Sequence, residues 1–381
     1  MRLLVSGWRD VPHSYSLVNA HQLAALRVVA PDLDLRHRDL SYLFEYWQPR
    51  HDLLTPEAAR RVQAIPAPES GWIPDLELSM GHPPDLTPRP WPHLCFTTAE
   101  WGVIRRQVWG ANAEDPIARR ATCHWLTPSR FSRQGLVASG CPPEQVHVLP
   151  HGVDTATFRP VSAETQEHLR RALNLDGGPW LLSVGAMTGN KGIGQLLFAF
   201  ARLLEQHPRA GLMLKGSDDL YNSRQRLEQL LRERLPSEMT HRLLPRLRYW
   251  GGVMAPPELA RLYQAADGYA SAYRAEAFNL PVLEAMATGL PLICTAGGPT
   301  DEFTRPEFCL GIASERVRHE QEGELFFSLQ PDGEHLLTHL RTWVEEATWR
   351  HQAGEQAHEA AQAYDWTAIA KRLRTLCDQL R

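Results

Sequence analysis

Along the 381-residue chain, short uninterrupted apolar runs alternate with longer stretches in which apolar residues return every three or four positions. The runs are bounded by Gly, Pro or clustered polar residues. That pattern reads as buried strands of a parallel sheet rather than as helices. They fall at residues 2–6, 33–36, 76–80, 93–98, 125–128 and 146–150, and again at 180–184, 211–216, 269–273 and 291–295. Helical spacing follows several of them. Leu17, Ala20, Leu23 and Ala24 share one face, with Ser14 or Ser16 as a cap. Further helices are expected over 56–65, 194–204 and 280–288, the last stopped by Gly289. Strand–helix alternation without repeats predicts α/β layers. A linker-like stretch at 160–178, with one helical piece at 166–173, separates the two sets of strands. A chain this long suits two domains, 1–160 and 161–363, followed by an amphipathic helix over 364–381.

Composition narrows the function. A formal net charge of -4 supplies no basic field for nucleic acid. The six cysteines are scattered without CxxC spacing, which indicates neither a zinc site nor a disulfide framework. The first apolar run is too short for a signal peptide, and no stretch approaches the roughly 20 apolar residues of a membrane span. A cytoplasmic protein is expected. Of 40 cationic side chains only three are lysines, Lys191, Lys215 and Lys371, so their placement is informative. Asp32-Leu33-Asp34 has the look of a metal-binding DxD, but it starts a strand in a polar stretch and reads as solvated.

The chemistry concentrates between Ala270 and Gly298. A strand runs into a loop carrying Glu276, then into a helix carrying Glu284, then into the next strand. In open parallel sheets such loops lie at the carboxyl edge, where ligands bind. An ionised Glu accepts two hydroxyl hydrogen bonds at once, and both a sugar and a ribose offer adjacent hydroxyls. The peptide groups from Ala277 through Phe278 and Asn279 to Leu280 form a helix N-terminus, which attracts phosphate. One loop could therefore hold sugar, diphosphate and ribose in a row. A helix with an acidic first turn is the bland alternative.

The run Glu276-Ala-Phe-Asn-Leu-Pro-Val-Leu-Glu284-Ala-Met-Ala, with Gly289-Leu-Pro-Leu-Ile and Gly297-Gly298, resembles the donor signature of retaining family-4 glycosyltransferases. The resemblance covers the C-terminal half well and the N-terminal half loosely. It implies the GT-B fold, two facing Rossmann-like domains with an interdomain cleft and the donor on the second. It further implies that Gly185 forms a tight turn and that Lys191, at a loop–helix junction, faces the diphosphate. Lys215 and Gly216 would border the nucleoside, and backbone around Val253 would meet the base. The family's phosphate-binding Arg is Ala186 here, so one cation on the leaving group is missing. The terminal helix would cross back onto the first domain. His151-Gly-Val-Asp154 matches the family's junction segment with His in place of Asn.

In the first half, the loop opened by Gly7 would face the acceptor, with His13 and Tyr15 as candidate contacts and His82 in the next such loop. The family's polar residue after the fourth strand is often His. This chain has Glu100 nearby, as a sugar-hydroxyl acceptor or a base. The implied reaction is glycosyl transfer from a UDP- or GDP-sugar to a glycan or lipid-linked hydroxyl, in polysaccharide or glycoconjugate synthesis. Anomeric configuration would be retained, with no metal or cofactor, and with peripheral contact at the inner membrane face when the acceptor is a lipid. Glu276 would orient the sugar and Glu284 hold the ribose. Two alternatives stand beside it: a nucleotide-sugar epimerase, and a degenerate GT-B partner subunit, which the departures at Ala186 and Glu100 would suit.

Overall fold

Strands form where the runs are apolar on both faces. Leu76–Met80, Trp180–Val184, Gly211–Lys215 and Leu292–Thr295 carry almost no exposed residue, so sheets covered on both sides are the only way to bury them. A computed structural model of the chain describes residues 1–109 and 123–381. It divides into two units, one made of Met1–Gly152, Arg318–Phe327 and Tyr364–Arg381, the other of Val153–Val317 and Ser328–Ala363.

The first unit holds β1 (Arg2–Gly7), β2 (Asp34–Asp39), β3 (Leu76–Met80), β4 (His93–Phe96), β5 (His124–Thr127) and β6 (Val146–Val148). They pair in parallel in the order β2-β1-β3-β4-β5-β6. The order reverses direction between β1 and β3. Helix Ser14–Val29 packs against the C-terminal helix Trp366–Leu380. There His21 stacks on Trp366 with ring centroids 5.2 Å apart, and Arg374 clasps Asp32 at 2.9 and 3.0 Å. Asp34 is taken by Arg36 and by Trp72 Nε1. The DxD-like pair is thus part of surface and helix-packing contacts. Among the described residues no group of three or more His, Cys, Asp or Glu could hold a metal ion.

The second unit holds β7 (Trp180–Val184), β8 (Gly211–Lys215), β9 (Leu247–Trp250), β10 (Gly268–Ser271), β11 (Leu292–Thr295) and β12 (Cys309–Ile312). The order is β12-β11-β10-β7-β8-β9, again parallel, with the reversal between β7 and β10. Helix Ile193–Leu203 buries Leu196, Leu197 and Phe200 in the core on this sheet. A hairpin of β13 (Ser314–Gln321) and β14 (Glu324–Pro331) follows β12. Its two-residue turn, Glu322 and Gly323, has φ of 53° and 70°, the mirror-image geometry that closes tight hairpins.

The strands expected from the apolar runs are present within a few residues of their expected ends. β9, β12 and the hairpin were not read as strands. β13 is mostly polar and exposed, so no apolar run marks it. All six cysteines are buried free thiols. Among the described residues no helix is long and apolar enough to cross a membrane.

Candidate active site

In each parallel sheet the loops on either side of the strand-order reversal diverge and leave a crevice at the carboxyl edge. In the second unit those loops follow β7 and β10, and they carry Lys191 and Glu276. Asn190 stitches them together. Its carbonyl accepts from Arg274 N at 2.7 Å and Ala275 N at 3.2 Å, and its side-chain amide donates to the Ala275 carbonyl at 3.3 Å. Gly192 permits this approach. It lies at φ 65°, and a Cβ there would overlap the Ala272 carbonyl oxygen. Gly185, at the end of β7, leaves room for the Lys191 stem, which lies 3.7 Å from where its Cβ would be.

Lys191 Nζ reaches across and donates to Glu276 Oε1. The pair is mostly withdrawn from solvent, with side-chain exposures of 27% and 7%. The two residues assigned to opposite ends of a sugar diphosphate are therefore in contact. After Glu276 the chain passes through the buried residues Ala277, Phe278 and Asn279 into helix Leu280–Ala287. Asn279, the residue preceding the helix, is left-handed, with φ 82° and ψ 69°, and its amide donates to Ser271 Oγ at 3.0 Å. Its side chain makes no capping bond to the helix, so the N-terminal peptide groups are not closed off by it. Phe278 stacks on Phe303, ring centroids 4.8 Å apart.

Glu284 lies on that helix, where it accepts from the Tyr263 hydroxyl at 2.6 Å. Part of the residue reaches the surface, but its carboxyl is enclosed. Burial pushes its pKa up to about 7 from 4.5, and the Tyr263 bond only partly opposes this. Tyr263 stacks on Tyr269, whose hydroxyl meets the backbone of Val184 at the end of β7. Sequence reasoning placed Glu284 but missed Tyr263. Its position in a helical stretch gives no hint of a partner 21 residues away.

Lys215 ends β8 and is buried. It donates to the carbonyl of Gly216, and burial lowers its pKa while Asp218 and Asp219 oppose the shift. Tyr249 and Asp218 close over Gly216 and Gly251, where side chains would collide. Val253 is half-buried in the loop after β9. Beyond β11, Gly297 N is held by Asp301 at 2.7 Å, and Gly298 packs against the Tyr273 hydroxyl. Thus Gly185, Lys191, Glu276 and the 277–280 peptide converge at the reversal, with Glu284 on the helix behind it. Lys215, Gly216 and Val253 line the adjoining loops of the same edge.

The first unit gathers its own candidates at its carboxyl edge. Gly7 ends β1 with no room for a side chain beside Asn19. His13 precedes helix Ser14–Val29 and accepts from Tyr15 N at 3.3 Å; burial and then His82 lower its pKa to about 4. Tyr15 meets Thr98 Oγ1 at 3.3 Å and packs on Phe96 and His82. Its pKa is raised to about 12, chiefly by burial, with the negative charge of Glu100 contributing. Trp8 and Trp47 complete the cluster around His13, a contribution of aromatic residues that no spacing revealed. Around His13 this edge is dominated by aromatic rings, with Glu100 as a nearby charge.

HepE from Anabaena, solved with UDP and glucose, superposes over 100% of both chains with a TM-score of 0.70 at 15% identity, a likeness of fold. Mannosylfructose-phosphate synthase from Agrobacterium fabrum is 28% identical over 237 residues, 62% of this chain and 48% of that protein. Sulfoquinovosyl transferase SQD2 from Arabidopsis thaliana is 26% identical over 276 residues, 72% and 46% of the two chains. The chain spans about half the length of these curated relatives. The fold is GT-B. The family described as glycosyl transferases group 1 matches residues 165–359, which take in Gly185, Lys191, Lys215, Gly216, Val253, Glu276 and Glu284. The chain belongs to the glycosyl transferases group 1 family.

Proposed function

We propose that the protein transfers a glycosyl group from a UDP- or GDP-sugar to a hydroxyl of a glycan or lipid-linked acceptor, with retained anomeric configuration and no metal. The observation that carries this reading is the Lys191–Glu276 pair at the strand-order reversal. In the free protein each side chain neutralises the other. The donor replaces both partners, placing sugar hydroxyls on Glu276 and phosphate oxygens on Lys191. The Glu284 carboxylate accepts the ribose hydroxyls.

In the reaction the bond from the anomeric carbon to the phosphate oxygen breaks, and its electron pair leaves with the diphosphate. The acceptor oxygen forms the new bond on the same face, and its proton departs on the diphosphate. Negative charge grows on the leaving group, where the Lys191 ammonium and the Leu280–Ala287 helix N-terminus stabilise it. These groups take the role a metal serves elsewhere. The aromatic cluster around His13, Tyr15 and His82 suits a sugar ring of the acceptor.

The test is Glu276→Gln. Removing one transition-state contact of this kind lowers turnover by on the order of 100-fold or more. We expect that loss with nucleoside diphosphate affinity within a few-fold of the parent. Wild-type turnover in the variant would refute the reading.

A further inference from the structure

At the opposite, amino edge of the second sheet lies a cavity of about 890 Å³, within the range that encloses small ligands. Its walls come from helix Ala163–Ala172, the stretch leading to β7, the start of β9 and helix Ala347–Ala361. Arg170, Arg171, Arg248 and Arg350 all line it. Three carboxylates share the lining: Glu167, Asp176 and Asp267.

The pairing leaves a surplus of positive charge. Arg170 is bound to Asp267 at 2.5 Å, and Arg171 to Glu167 at 3.8 Å. Asp176 is taken at 2.7 Å by Arg246, which lies on the face of Trp180. Among the described residues Arg248 and Arg350 have no carboxylate within salt-bridge distance. Arg248 bonds the carbonyls of Pro245 and Leu247, both at 3.1 Å, and reaches that of Asn174 at 3.5 Å. Arg350 bonds through Nη1 alone, to the carbonyls of Trp343 and Val344. Burial lowers the pKa of Arg350; the nearby Asp267 charge opposes this, and the neighbouring Arg170 adds repulsion.

A chain of net charge -4 thus holds two half-buried guanidinium groups, anchored at one edge and with donors to spare, in a concave site. A guanidinium has five N–H donors in a fork that matches phosphate oxygens, and charge-assisted bonds of this kind are among the strong ones. We propose that this cavity is a binding site for a phosphate-bearing small molecule, separate from the nucleotide-sugar crevice, with Arg248 and Arg350 as its principal ligands. The concave shape favours a small molecule over a membrane or a nucleic acid strand. The site stands independently of the transfer reaction proposed above.

The experiment uses the full chain with Lys191→Met, which removes the cationic phosphate contact of the donor crevice; any binding left at the helix N-terminus there is told apart because it does not respond to Arg248→Gln. Inorganic pyrophosphate is titrated calorimetrically at matched ionic strength. One saturable site is expected, and adding Arg248→Gln and Arg350→Gln should weaken it at least tenfold. Arg350 also ties down the end of helix Gly333–Glu345, so the single Arg248→Gln variant, with its melting curve checked without ligand, decides the matter if the double variant unfolds. That single change is expected to weaken binding severalfold, and Arg350→Lys to weaken it less than Arg350→Gln. Absence of saturable binding to the Lys191→Met chain, or binding unchanged by Arg248→Gln, overturns the proposal.

Discussion

Replacing Glu284 by Gln separates what this carboxyl does for the fold from what it does for the ligand. Its pKa stands at about 7 in the folded chain against 4.5 for a free carboxyl, because the site desolvates the charge. Below about 4.5 both folded and unfolded states hold the proton, and the contribution to stability is complete. Between 4.5 and 7 the unfolded chain releases its proton while the folded chain keeps it, so stability falls as pH rises. Above 7 the full cost of a buried anion is present. The displacement corresponds to roughly 3 kcal/mol, taken as an upper bound. Gln does not titrate and still offers an oxygen to the Tyr263 hydroxyl. The variant should therefore match the parent near pH 4.5 and exceed it by up to about 3 kcal/mol at pH 8, a rise in Tm of several degrees. Thermal melts of both proteins from pH 4.5 to 8 test this. The same variant should bind nucleoside diphosphate sugar at least tenfold more weakly, since a neutral amide accepts through one oxygen only. Donor binding to the parent at pH 7 should release a proton, visible as a calorimetric enthalpy that changes with the buffer. A stability difference that is flat with pH, or a variant less stable at pH 8, would show that the carboxyl is not held neutral by burial.

Other outcomes follow from the same site. Gly192→Ala should abolish activity and destabilise the second unit by more than about 2 kcal/mol, because backbone rather than a movable side chain meets the new methyl; a urea melt equal to the parent would contradict it. Asn279→Gly should be tolerated, whereas Asn279→Val should cost about 1–2 kcal/mol for a left-handed β-branched residue, as chemical denaturation can measure. Ala186→Arg should raise kcat if the loop can aim a second cation at the diphosphate, and an unchanged or lower kcat would show that Lys191 suffices. Transfer should persist in excess EDTA, and strict dependence on added Mg²⁺ would set aside the metal-free chemistry.

The sequence makes most of this sheet architecture legible because strands buried on both faces must be apolar throughout. Trp180–Val184 and Leu292–Thr295 admit little other reading. The polar hairpin from Ser314 to Pro331 has no such constraint, and its turn is set by Glu322 and Gly323 rather than by the Asn-Gly that usually signals one. At the site, Glu276 and Glu284 are readable because their local spacing along one strand–loop–helix unit fixes where they can go, and Lys191 because it stands at the loop–helix junction after β7. Their partners are set by tertiary packing. Nothing local ties Tyr263 to Glu284, Asn190 to Ala275, or Trp47 to His13.

Residues 186 and 279 bear on the charge of the leaving group in different ways. Asn279 stands where a left-handed residue is needed, and Asn meets that need while its amide secures Ser271. Ala186 removes a charge, and no backbone adjustment restores one. With only Lys191 on that loop, the helix N-terminus that begins after Asn279 must take a larger share of the charge on the leaving group. Its weight should then depend on the peptide groups staying open to the ligand. A substitution that puts a negative charge at residue 279, such as Asn279→Asp, places an anion beside the peptide groups where phosphate is to sit. It should weaken nucleoside diphosphate binding by tenfold or more at neutral pH, with the melting curve recorded without ligand to account for the lost Ser271 bond. Equal affinity in that variant, measured by titration calorimetry, would place the diphosphate away from this helix and return the whole of its stabilisation to Lys191.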